Sequence, residues 1–292
     1  MLAGLLSGLA IPVLAQQQAT VAVAANFSVP ARALVPVFEA QSGHTLRLAT
    51  GSSGKLFAQV VQGAPFDVLL SADQEIPARL VEQGLADEDS VFTYARGRLI
   101  LWSAQASVFF DEQASESQAP GVLLRIGEPI LPDPGLVEFS DIARAARSSQ
   151  IRRLALANPR LAPYGRAAEQ VLRHLELAEP LAGRLVYGEN ISQALQFVVS
   201  GNAQAGFLSL SLLSQSGVLT SGNGVLIPAS LHEPILQDAV LLNRGRGNEA
   251  ALAFLRFLRS PAIQERLQEF GYARGRCPDT DGFDSSEDLE CP

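Results

Sequence analysis

Between Val21 and Gly84 the chain repeats one pattern three times: a short apolar run, a polar turn, and apolar residues at helical spacing. Residues 21–25 (VAVAA) pass through Asn26, Phe27 and Ser28 into a helix opened by Pro30. Leu34, Val37 and Phe38 form its inner stripe, Pro36 is expected to kink its first turns, and Gly43 ends it. Residues 45–49 (TLRLA) alternate like a strand, and the turn Thr50-Gly51-Ser52-Ser53-Gly54-Lys55 hands over to Leu56, Phe57, Val60 and Val61 until Gly63 stops them. Residues 68–71 form a third strand; Asp73 is the expected cap of the next helix and Gly84 its end. Buried strands alternating with helices predict an α/β fold on a doubly wound parallel sheet, whose ligands sit at the C-terminal ends of the strands.

A second set follows. The run 99–102 reads as a strand leading out of the first unit, and residues 104–150, rich in Pro, Ser and acids, predict loops with one short helix. Residues 154–157 are a strand, and the turn Ala162-Pro163-Tyr164-Gly165 starts a helix to about Leu175. A strand at 185–187, the turn Gly188-Glu189-Asn190, a helix from Ile191 to Val199 and a strand at 206–210 complete the set. A strand at 239–242 and helices near 249–258 and 261–270 close the chain. Two such units with crossings near Arg98 and Asp238 make two lobes around a cleft, with residues 20–97 plus 239–276 in the first lobe and 98–238 in the second.

Four turns can face that cleft: those at Asn26, Ser53, Tyr164 and Ile191, each directly before or at the start of a helix. The first turn of a helix offers unpaired N–H groups and the positive end of the dipole, which together suit a small anion. Ordinary capping, by Ser52 or Ser53 for example, is the alternative reading of any one such turn. Neutral N–H and O–H donors hold a fully ionised oxyanion, whereas a site built on an acceptor side chain selects a protonated one.

Enzyme motifs are excluded by spacing. A nucleotide P-loop needs Gly where Ala49 stands and Ser or Thr where Leu56 stands; a hydrolase elbow needs Gly in place of Lys55. The three histidines, His44, His174 and His232, lie in unrelated contexts, and the start of an HExxH pattern at His232 fails at Leu236. Lys55, the only lysine, sits early on a helix where such a side chain is normally solvated.

With 292 residues and 47% apolar content the chain can bury a large core, and its net charge of −8 argues against nucleic acid or acidic membrane as partner. Residues 1–15 form an apolar, uncharged run with small residues at Val13 and Ala15, as before a signal-peptidase cut, although a basic start is missing. The expectation is a cleaved export signal and a periplasmic protein, with no cysteine near the cut to carry a lipid. Cys277 and Cys291, both in the acidic segment 277–292, are expected to form a disulfide in an exported protein. The acids between them do not follow calcium-loop spacing and read as a solvated tail.

The motifs AANF (24–27), TGSSGK (50–55), GAPFDVLLSAD (63–73), FTYARGRLILWS (92–103), ANPRLAPYG (157–165), YGENISQAL (187–195) and SGNAQAGFLSL (200–210) resemble the periplasmic molybdate-binding proteins of molybdate ABC transporters, from about residue 20 to Tyr272. The resemblance implies a class II periplasmic-binding-protein fold, two sheet-and-helix lobes joined by two crossing segments. It further implies a monomer, without enzymatic activity or cofactor, that closes on molybdate or tungstate and delivers it to an inner-membrane permease with its ATPase. By matching motif, its oxyanion donors fall on Asn26, Ser53, Tyr164 and Ile191, the last two through backbone N–H, with Ser52 the neighbouring hydroxyl. Ala25 stands where one branch of the family has a hydroxyl residue, and Ser209 where another uses a tyrosine. Sulfate or another oxyanion as ligand, and an anion-dependent enzyme or sensor in the same cleft, are the competing readings.

Overall fold

The structure, a computed structural model, describes residues 16–109, 123–130 and 139–273. The export run 1–15, both cysteines, the acidic tail and parts of 104–150 lie outside the described residues. No described helix is long and apolar enough to cross a membrane.

The first sheet is built from β1 (Gln18–Ala24), β2 (Thr45–Gly51), β3 (Val68–Leu70), β4 (Phe92–Gly97) and a late strand, Ile235–Leu241. Its helices are α1 (Ser28–Ser42), α2 (Ser53–Val61) and α3 (Glu75–Glu82), each following one of the first three strands. The expected glycines end all three, Gly43 at φ 70°, Gly63 at φ 82° and Gly84 at φ 66°. α1 continues through Pro36 as a single helical element. Asp73 caps as expected, its Oδ1 accepting from the Ile76 N–H at 3.1 Å, but α3 itself begins two residues on, at Glu75.

The second lobe contains β5 (Leu99–Ser103), β6 (Leu123–Arg125), α4 (Phe139–Arg147), β7 (Leu154–Ala157), α5 (Pro163–His174), α6 (Ala178–Leu181), β8 (Leu185–Gly188), α7 (Ile191–Val199) and β9 (Ala205–Ser209). A small hairpin, β10 (Ser214–Gln215) with β11 (Val218–Leu219), and β12 (Asn223–Leu226) follow. The chain then returns to the first lobe as β13 (Ile235–Leu241), α8 (Glu249–Arg259) and α9 (Pro261–Glu269).

The alternating units predict wholly parallel sheets, and both sheets are instead mixed. The orders are β2-β1-β3-β13-β4 and β6-β12-β5-β9-β7-β8, with β1 parallel to β2 and β3, and β7 parallel to β8 and β9. β13 runs antiparallel to β3 and β4, and β5 antiparallel to β9 and β12. The reason is directional. A strand that feeds a helix at the cleft points its C-terminal end there, whereas β5 and β13 arrive from the cleft and must run the other way. β13 joins the first sheet at Ile235, opposite Gly97, so the returning crossing lies in residues 227–234, ahead of Asp238. Arg98 alone links β4 to β5.

Strand alternation divides the first lobe's core. Val21 and Val23 face Phe27, Phe38 and Phe254 on one side of the sheet; Ala22 and Leu69 face Leu56, Leu80 and Val240 on the other. In the second lobe Trp102, Phe207 and Leu156 share one core, and the Trp102 indole N–H donates to the Ser221 carbonyl at 2.8 Å. Burial on both faces leaves the strand ends as the places where polar backbone can meet a solute.

Candidate anion-binding site

Five turns meet at those ends, three from the first lobe and two from the second. They enclose a cavity of ≈ 10 Å³, lined by Ala24, Ala25 and Asn26 after β1, Ser52 and Ser53 after β2, Ala72 after β3, Ala162, Pro163 and Tyr164 at the start of α5, and Asn190 and Ile191 at the start of α7. Space of that order holds about one water-sized sphere, so a sugar or peptide is too large. A wider depression of ≈ 420 Å³ by Gln17, Asp67 and Arg244 lies at the opposite, N-terminal ends of the strands. No charged side chain lines the cavity between the lobes.

The cavity therefore depends on dipoles. Ser53, Tyr164 and Ile191 stand in the first turns of α2, α5 and α7, where no carbonyl four residues back is available to their N–H groups. Asn26 occupies a 3-10 turn, Ala25–Phe27, that leads directly into α1. Ser53, 1% exposed, accepts at its Oγ from the Ala72 N–H at 2.9 Å, which leaves its hydroxyl proton to donate. Ser52 Oγ accepts from Lys55 N at 3.4 Å and is left with the same option. Capping and anion binding are thus compatible at this turn: each hydroxyl accepts from the backbone and keeps its proton for a ligand.

The structure brings Asn26, Ser52, Ser53, Tyr164, Ile191 and Ala25 to one cavity, and leaves Ser209 out. The Ser209 hydroxyl bonds the Ser211 hydroxyl behind the site. The Asn26 side chain also turns away, its Nδ2 donating to Gln237 Oε1 at 2.8 Å and to the Tyr272 hydroxyl at 3.0 Å. What Asn26 presents to the cavity is backbone. Tyr164 behaves likewise: its phenol points into the interlobe core, where burial pushes its pKa up to about 12 against hydrogen bonds that lower it. It stays neutral at any ordinary pH. Ala24, Ala72, Ala162, Pro163 and Asn190 were not singled out from sequence. Ala72 could have been found, since it ends the third strand unit at the same level as Ser53; Asn190 caps α7 through Gln193 N at 3.0 Å.

Around the cavity the lobes touch directly. Gly54 N donates to the Leu161 carbonyl at 3.0 Å, an approach that leaves only 3.1 Å between that oxygen and the position of a Cβ. Lys55 pairs with Glu189 at the rim, both side chains about half exposed, so it points to the opposite lobe and not to the cavity. Arg166 of α5 reaches Asp73 of the first lobe at 2.9 Å. The exposed Lys55–Glu189 pair contributes little, about 0–1 kcal/mol, whereas Asp73 is buried in its pair with Arg166.

Residues 19–273 match the bacterial extracellular solute-binding protein family. The chain belongs to that family. Among solute-binding relatives, it is 39% identical over 252 residues to the Molybdate-binding protein ModA of Azotobacter vinelandii, covering 86% of this chain and 88% of the relative. The Molybdate-binding protein ModA of Rhodobacter capsulatus is also 39% identical, over 92% of each chain. The solved structure of the Azotobacter vinelandii periplasmic molybdate-binding protein superposes with a TM-score of 0.71 at 33% identity, over 87% of this chain and 98% of that one. The two-lobed solute-binding architecture is thus shared across nearly the whole described chain.

Proposed function

We propose that this protein captures molybdate or tungstate between its lobes in the periplasm and delivers it to an inner-membrane ABC permease. The observation that carries this reading is the convergence of four helix starts and two serine hydroxyls, each accepting from backbone with its proton left to donate, on a small cavity with no charged lining side chain. Relatives named for molybdate binding at 39% identity support the choice of ion. Donors from both lobes mean that the ion completes the interface when the lobes close. The same cavity supports binding in preference to catalysis: neither lining serine hydrogen-bonds a histidine or carboxylate that could activate it. Asn26, Ser53, Tyr164 and Ile191 are the proposed donors, with Ser52 beside them, and Ala25 bounding the cavity through its backbone.

Parallel calorimetric titration with molybdate, tungstate and sulfate tests the reading. Molybdate and tungstate are expected to bind as a pair, and sulfate at least about tenfold more weakly, because a smaller tetrahedron lengthens every hydrogen bond in a cage fixed by helix ends. Sulfate binding as tightly as molybdate would reject a cage set for the larger ion.

Salt dependence separates this cage from a surface site of arginines. The donors are enclosed and uncharged, and screening acts over about 8 Å through solvent. The thermal shift given by molybdate should therefore be about 2.7 kcal/mol of stabilisation at a hundred times the dissociation constant, and it should survive high salt. A shift abolished by salt in a melting experiment would place the ion on the exposed rim.

A further inference from the structure

Behind the cavity one side chain touches the turns of both lobes. Gln237, on β13 beside the bulge at Gln237/Asp238, is fully buried. Its Oε1 accepts from Asn26 Nδ2 at 2.8 Å and lies 3.1 Å from the Tyr94 hydroxyl; its Nε2 donates to the Tyr164 hydroxyl at 3.2 Å. Asn26 and Tyr164 are the residues whose backbones bound the cavity from opposite lobes. Gln237 therefore spans the lobes through the side chains of two residues that face the ion through their main chains. The neighbouring crossing strand is shaped for the same contact: a Cβ on Gly97 would lie 2.2 Å from the Tyr164 hydroxyl and 2.8 Å from Gln237 Nε2. The Ser211 hydroxyl adds a further link, donating to the Asn26 carbonyl at 2.8 Å.

We propose that Gln237 is a positioning residue that grips Tyr164 at the crossing strands, holding the lobes closed and the α5 start aimed at the ion. The assignment rests on the oxyanion reading for the identity of the ion, but the grip itself is a property of the interlobe core. Gln237 never meets the ligand. Removing the grip leaves every cavity donor present and changes how long the lobes stay shut.

The test uses Tyr164→Phe, which keeps the ring and the backbone N–H and deletes only the gripped hydroxyl, together with Gln237→Leu and the double variant. Stopped-flow measurement on the whole protein should show molybdate dissociating about three- to tenfold faster from Tyr164→Phe, the loss expected for one buried neutral hydrogen bond. Association should change by less than about twofold, since every cavity donor is kept. The effects of the two substitutions should be less than additive in the double variant, because both remove the Gln237–Tyr164 bond, Gln237→Leu also losing the bonds to Asn26 and Tyr94. Small-angle scattering of anion-free protein should give a larger radius of gyration for Tyr164→Phe than for wild type. Unchanged dissociation and unchanged radius in Tyr164→Phe, or strict additivity with Gln237→Leu, would overturn the grip. Failure of the wild-type protein to bind molybdate or tungstate would instead reject the oxyanion reading, leaving the grip to be decided by scattering.

Discussion

Ser53→Ala is expected to weaken molybdate binding by about ten- to a hundredfold, the equivalent of one charge-assisted hydrogen bond of about 1.5–3 kcal/mol. Two effects add at this position. In the proposed cage the Ser53 hydroxyl donates to the ion, and its oxygen accepts from the buried Ala72 N–H, which the alanine variant leaves unpaired beside the cavity. The second effect also lowers stability in the absence of ion, so calorimetry should be paired with melting of the free protein. A Ser53→Ala protein with wild-type affinity would remove this hydroxyl from the cage and leave α2 contributing through backbone alone.

Gly165→Ala is expected to cost more in stability and to carry binding down with it. A Cβ at Gly165 would sit 2.3 Å from the Ala157 carbonyl oxygen and 2.9 Å from the Ala157 and Asn158 carbonyl carbons, all main chain at the end of β7. No side chain can swing aside. α5 must lift from the strand, at an overpacking cost of about 1–3 kcal/mol, and Tyr164, the preceding residue, moves with it. Since the Tyr164 N–H is aimed by the first turn of α5, affinity should fall by more than tenfold, roughly one charge-assisted bond. Gly183→Ala is the control, because a Cβ there meets nothing within 4 Å. Equal melting temperatures for the two variants would show that α5 can shift without strain, and that its start is not held by this contact.

Much of the fold was legible in the periodicities. The helical stripes after residues 25, 52, 162 and 190 became α1, α2, α5 and α7, within two or three residues of the expected starts. The strands missed from sequence, β4, β6 and β10 to β12, are short or only partly apolar, so they carry little alternation. Strand direction was not legible either. β5 is as apolar as a parallel strand, and so is β13 apart from Gln237 and Asp238, since burial on both faces demands the same composition whichever way a strand runs.

The chain's sequence determined by itself where the helix-starting turns fall, because the residue before a helix is marked by Ser, Asn or Pro and by the apolar stripe behind it, all local signals. Only the tertiary structure decided what each residue does there. Asn26 reads as a ligand residue from its motif and Ser209 as an additional one, yet the partners of their side chains are Ser211, Gln237 and Tyr272, the last two more than two hundred residues from Asn26. Gln237 carries no motif at all and acquires its role only because β13 returns beside β4 at the crossing between the lobes. A side chain's hydrogen-bond partner is a matter of distance and angle in space, and for groups brought together by two crossing strands no spacing along the chain encodes it.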